Sequence, residues 1–141
     1  MSFTSSNAAK TYAKTGMETG VATANPHRLI LMLLDGAQLA IAKAEDAMQK
    51  GRIADKGESI SRTIGIIGNG LKASLDYSAG DELSNRLAAL YDYMVARLVH
   101  ANLNNDIAAL KEVSHLLSEI KSAWEEIAND PAVASRNKVA A

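Results

Sequence analysis

Asn25-Pro26-His27-Arg28-Leu29-Ile30-Leu31-Met32-Leu33-Leu34-Asp35-Gly36-Ala37 is the stretch on which the reading of this chain turns. Asn25 followed by Pro26 marks a helix start. It pairs an N-cap with a proline at the first helical position, where an N–H would have no intrahelical partner anyway. Leu29 to Leu34 is an unbroken run of six apolar residues, more than a helix with one buried face requires. On a 3.6-residue period the run divides into two stripes. Ile30, Leu34, Ala37, Ile41, Ala44 and Met48 recur at steps of 4, 3, 4, 3 and 4 and form a core seam. Leu29, Met32, Gly36 and Leu39 recur at steps of 3, 4 and 3 and point more than a quarter-turn away from it. One helix thus offers a seam to its own bundle and a second apolar strip to something else.

Working outward, the helix runs to about Lys50 and stops at Gly51, a suitable residue just past a helix end. A second helix is expected from about Ile53 to Tyr77, on the seam Ile53, Gly57, Ile60, Ile64, Ile67, Leu71 and Ser74. It also carries a second strip: Ile66, Gly70, Ala73 and Tyr77. Gly57, Gly65, Gly68 and Gly70 lie inside it, at a cost of roughly 1 kcal/mol each relative to alanine. Either close helix–helix approach or room for a bound chain would offset that cost. Ser78-Ala79-Gly80 reads as a turn with Asp81 as N-cap. A third helix follows to about Asn102 on Leu83, Leu87, Leu90, Met94, Leu98 and Ala101. Asn105 or Asp106 caps a fourth, running to about Ala128 on Ile107, Leu110, Val113, Leu117, Ile120, Trp124 and Ile127.

Four long helices with short connections must be antiparallel neighbours. The expected fold is therefore all-α, an up-and-down four-helix bundle over residues 25–128. Residues 1–24 read as a mobile arm or short interrupted helix, with Tyr12, Met17 and Val21 as its apolar groups. Residues 129–141 read as a disordered tail.

Bulk composition narrows the function. With 141 residues the chain suffices for one domain, and its formal net charge of −1 with no basic cluster argues against nucleic acid or an anionic membrane as main partner. There is no cysteine, hence no disulfide or thiolate metal site. No signal peptide is visible, and the apolar run is too short to span a bilayer, so a cytosolic protein without membrane insertion is the expectation.

Catalysis finds no support. A di-iron bundle needs Glu-x-x-His twice, and only Glu112-x-x-His115 is present. Those two residues lie off the core seam, on the face of Glu119 and Glu126, which reads as solvated. His100 and His115 sit in no distinctive phosphotransfer pattern. No phosphate loop, activated nucleophile or paired carboxylate appears on any seam. No enzyme activity and no cofactor is expected. A metal or phosphotransfer bundle is the competing class. Two apolar strips outside the core favour a protein that binds an amphipathic or disordered segment. The alternative is that the arm or a second copy of the chain covers them permanently, as in a purely structural oligomer.

The sequence resembles the flagellar secretion chaperone FliS family. The resemblance is carried by Ala9-Lys10-Thr11-Tyr12, by residues 24–37, by Ile64-Gly65-Ile66-Ile67-Gly68-Asn69-Gly70-Leu71, by Leu90-Tyr91-Asp92-Tyr93-Met94 and by Arg97 to Asp106. It covers roughly residues 7–128, and its specificity lies in the order and spacing of all the pieces. Leu34 departs from it, standing where the family often has Tyr or Phe. The resemblance implies a cytosolic export chaperone that binds the C-terminal segment of flagellin, prevents premature polymerisation and aids delivery to the flagellar type III export gate. It also implicates the arm, through Tyr12, in covering the site and in contacting the gate. Self-association of the free chain is left open. The residues expected to meet the partner are Tyr12, Leu29, Met32, Gly36, Leu39, Ile66, Gly70, Ala73 and Tyr77.

Overall fold

A computed structural model of the chain describes residues 25–76 and 82–128. The expected arm and tail, and with them Tyr12, Tyr77 and the Asp81 cap, lie outside these residues. The described part is helical: α1 (Pro26–Gln49), α2 (Ile53–Gly65), a π turn (Ile66–Leu71), a 3-10 turn (Lys72–Ser74), α3 (Glu82–Asn104) and α4 (Ile107–Ala128). The start of α1 is as expected: the Asn25 side chain accepts the Arg28 N–H at 2.8 Å, and Pro26 is the first helical residue. At its end Gly51 takes φ +69°, and the Arg52 N–H reaches back to the Ala47 carbonyl at 2.9 Å. That six-to-one bond over a left-handed residue is a Schellman closure. The α3–α4 turn repeats the device with asparagine. Asn105 sits at φ +50°, and the Asp106 N–H reaches the Ala101 carbonyl at 3.1 Å. Asp106 then caps α4 by accepting the Ala109 N–H at 3.2 Å.

Cross-helix pairs give the topology, because numbers fall on one helix as they rise on its neighbour. Asp35 meets Lys121 and Gln38 meets Ser118. Lys56 meets Asn102 and Lys72 meets Asp92. Arg97 meets Glu112. Each helix packs on two others, α1 on α2 and α4, α3 on α2 and α4, while the diagonal pairs stay apart. This is the antiparallel up-and-down bundle expected from the sequence.

The core follows the α1 seam as read: Leu34, Ala37, Ile41 and Ala44 are fully buried, and Ile30 and Met48 pack against them. Leu110, Val113 and Leu117 do the same for α4. In the second helix the expected seam holds at Ile60, Ile67 and Leu71, which are buried, and at Ile64, which packs on the core, but its head does not. Ile53, at the head of the expected seam, is 76 % exposed, and the buried positions of α2 are Lys56, Ile60 and Thr63. Polar Lys56 and Thr63 share the inward stripe, and counting apolar residues alone left them out. In α3 the inward line runs through Ser84, Leu87, Tyr91, Met94, Leu98 and Ala101, which leaves Leu83 exposed. Ser84 goes inward because its hydroxyl donates to the Asp76 carbonyl at 2.8 Å. Ile127, in the last turn of α4, is also exposed.

The second helix does not continue as α-helix to Tyr77. From Ile66 its bonding changes to i→i+5, and the Lys72 N–H reaches back to the Ile67 carbonyl. One extra residue per turn lets Ile66, Ile67, Gly70 and Leu71 all face inward. The Ser74 hydroxyl donates to the Gly70 carbonyl at 2.6 Å and so occupies an acceptor that the irregular turn would leave short of partners.

Candidate functional site

The two strips expected outside the core meet different fates. On α1, Leu29 and Met32 are half-buried and Leu39 is 61 % exposed, beside a seam whose central residues are fully buried. The same stripe continues through Lys43 and Asp46. There it forms one wall of an open hollow of about 480 Å³, whose other wall is Arg52, Asp55 and Glu58 from the start of α2. An apolar strip towards the N-terminal end of α1 therefore runs into a mixed-charge hollow towards its C-terminal end.

The strip on the second helix is corrected by the π turn. Ile66 is only 5 % exposed and Gly70 is buried, so both belong to the core, while Ala73 is half-buried. The added residue rotates these positions inward, which a uniform 3.6-residue count could not anticipate. Ile66 nonetheless touches the α1 strip: a Cβ on Gly36 would lie 3.7 Å from the Ile66 Cδ1. Gly36 and Ile66 are thus brought together as ordinary packing between helices. The α2 glycines are another matter. A Cβ at Gly57, Gly65 or Gly68 would meet nothing within 4 Å. Close helix approach does not explain these three glycines.

The chemistry-bearing side chains are arranged for structure. Glu112 and His115 do not converge. Glu112 accepts from the Tyr93 hydroxyl at 2.6 Å and from the Arg97 Nε at 2.7 Å, whereas His115 pairs with Glu119 at 2.9 Å in solvent. The Tyr93 hydrogen bond, then that from Arg97, holds the Glu112 carboxyl below its ordinary range. Asp106 is lowered likewise, first by the His100 hydrogen bond and then by the Ala109 N–H. Among the described residues no group of three or more metal-ligating side chains converges. No described helix is long and apolar enough to cross a membrane.

Two residues of consequence escaped the sequence reading. Lys56 is 7 % exposed, and its ammonium donates to the Asn102 carbonyl at 3.1 Å and to the Asn105 side chain at 2.6 Å. It pins the start of α2 to the α3–α4 turn, with its charge at the negative end of α3. Its signal was positional: Lys56, Ile60, Thr63 and Ile67 are spaced by 4, 3 and 4. His27 is 8 % exposed and stacks on Trp124 with ring centroids 4.8 Å apart and planes 10° apart. Here too a signal existed, since His27 prolongs the Ile30/Leu34 seam by one step of 3.

A helical bundle with a partly exposed apolar strip on α1, and with no convergent metal-ligating groups among its described residues, has the form of a binding module. The family model for the flagellar protein FliS matches residues 8–131. The chain is 48 % identical over 118 residues to the flagellar secretion chaperone FliS of Salmonella typhimurium, covering 84 % of this chain and 87 % of the relative. It is 48 % identical over 122 residues to the flagellar secretion chaperone FliSB of Pseudomonas aeruginosa, covering 86 % and 96 %. With the FliS of Escherichia coli the identity is 44 % over 122 residues, covering 86 % and 90 %. The chain belongs to the FliS family.

Proposed function

We propose that this protein is a cytosolic flagellar export chaperone that binds the C-terminal segment of flagellin, prevents its premature polymerisation and aids its delivery to the export gate. The observation that carries the reading is the α1 strip: Leu29 and Met32 half-buried, and Leu39 61 % exposed, on a helix whose own seam is already filled. An amphipathic segment that orders on binding needs a long apolar contact to overcome its ordering entropy. Methionine suits such a surface because its flexible thioether adapts to the ligand. The hollow beyond Leu39 extends the contact with charged groups of both signs. Gly36, Ile66 and Gly70 act behind this surface by setting how closely the two helices approach. Ala73, and Tyr77 and Tyr12 outside the described residues, extend it. In the free chaperone the arm covers the strip and competes with flagellin.

The test is calorimetry with a flagellin C-terminal peptide. Leu39→Asp and Met32→Asp should each weaken binding by about tenfold or more, with helicity and melting unchanged for Leu39→Asp. Undiminished affinity in both variants would move the site off α1. Gel filtration of the free protein addresses the other occupant: if the strip is buried against a second copy, Leu39→Asp converts a dimer to a monomer.

A further inference from the structure

His27 is the second helical residue of α1, and Trp124 lies in the last turns of α4. Their rings stack at 4.8 Å, and the Trp124 Nε1–H donates to the His27 carbonyl at 3.0 Å. The two contacts together tie the entry of the first helix to the exit of the fourth, 97 residues apart in sequence. The imidazole is more than nine-tenths buried, and its Nε2 has no hydrogen-bond partner among the described residues. It also sits in the first turn of a helix, where exposed N–H groups carry partial positive charge. A neutral ring with a bare Nε2 lone pair tolerates this place. A protonated ring would bury a charge and an unsatisfied N–H beside the positive end of a helix.

We propose that the His27–Trp124 stack is a proton-operated latch, closed while His27 is neutral and opened by its protonation. Closed, it holds the first turn of α1 against the last turns of α4. Open, it frees the first turn of α1, one step from Leu29 and the apolar strip.

Among the described residues the charged groups at this end do not supply a counterion. On α1, Arg28 is exposed and Asp35 is engaged by Lys121 of α4 at 2.7 Å. On α4, Glu125 and Glu126 are exposed. Where the second helix ends, Lys72 pairs with Asp92 at 2.7 Å, and the Asp76 carbonyl accepts from Ser84. Helix α3 does not pack on α1. Burial therefore dominates and lowers the His27 pKa, opposed by a smaller backbone contact with Trp124. The sign follows: the folded state takes up the proton less readily than the unfolded chain. Stability is full above the unfolded value of about 6.5 and declines as pH falls below it.

Trp124 is the single tryptophan and His27 one of three histidines, so the latch carries its own reporters. The full-length protein is titrated from pH 7.5 to 5 while following tryptophan emission, melting temperature and the histidine ring signals by NMR. Expected are a His27 midpoint below 6.5, a red shift of Trp124 emission with the same midpoint, and a falling melting temperature. His27→Phe keeps a stacked ring but removes the titration, so its emission and melting should be level over this range. His100→Gln and His115→Gln, at sites remote from Trp124 in the fold, should keep the wild-type emission profile. A wild-type profile in His27→Phe, or a His27 midpoint at or above 6.5, would overturn the proposal. Should His27→Phe fail to fold, the wild-type NMR titration alone decides.

Discussion

The two ends of the bundle are built differently. At one end lie the α1–α2 and α3–α4 turns. Both close with a Schellman motif over a left-handed residue, Gly51 in one and Asn105 in the other. Lys56 then joins them by donating to the Asn102 carbonyl and the Asn105 side chain. At the other end are the Asn25 cap, the bare His27 Nε2, the π turn and the extended exit at Leu75. Irregular helix and an orphaned polar atom sit on that side, next to the apolar strip. The contrast teaches that this fold anchors itself at one end and leaves the other adaptable. Such local weakness is what a surface that must rearrange around a partner requires.

The sharpest way to break the comparison is Lys56→Met. It keeps the apolar stem but takes the charged donor from the Asn102 carbonyl and the Asn105 side chain at a part-buried site. Chemical denaturation should show a loss of about 2–3 kcal/mol, the scale of hydrogen bonds to a charged group. A loss under half a kcal/mol would mean the closed end does not depend on this lysine. A smaller effect is expected from Gly51→Ala, which forces a side chain into φ +69°. The cost should be about 1 kcal/mol, read from the same curves. Smallest, and of opposite sign, is Gly65→Ala near the adaptable end. No atom lies within 4 Å of the new methyl, so helix propensity alone acts and stability should rise by about 0.5–1 kcal/mol. If Gly65→Ala also weakens flagellin binding, the open space beside α2 is part of the contact surface.

These particulars show what a single sequence reveals. Asn25-Pro26, Gly51 and Asp106 were legible as helix ends because capping is local chemistry: the residue type and the backbone angle it tolerates are one fact. The α1 register was legible because its inward stripe is wholly apolar. The head of α2 was not, because Lys56 and Thr63 hold inward positions and satisfy their polar atoms through partners far away or one turn back. Ser84 misled only the first position of the α3 seam in the same way, through the Asp76 carbonyl. For the proposed site, the outward setting of Leu29, Met32 and Leu39 could be read because they share the well-phased helix. Ile66 and Gly70 were misplaced by the π turn, which no periodicity announces. His27 lay in view on the seam, but its role depends on Trp124 at the far end of the chain.

The π turn also bears on how this protein can change length. One surplus residue between Gly65 and Leu71 acts as a phase adjuster: the helix before it keeps one angular setting and the chain after it another. Losing a single residue there would return the segment to regular winding and swing Leu75, which packs on the core, around the helix axis. The same loss at a surface turn would be absorbed by the turn. Insertions and deletions are therefore not equivalent along this helix, and the tract from Ile66 to Leu71 is where its residue count matters most.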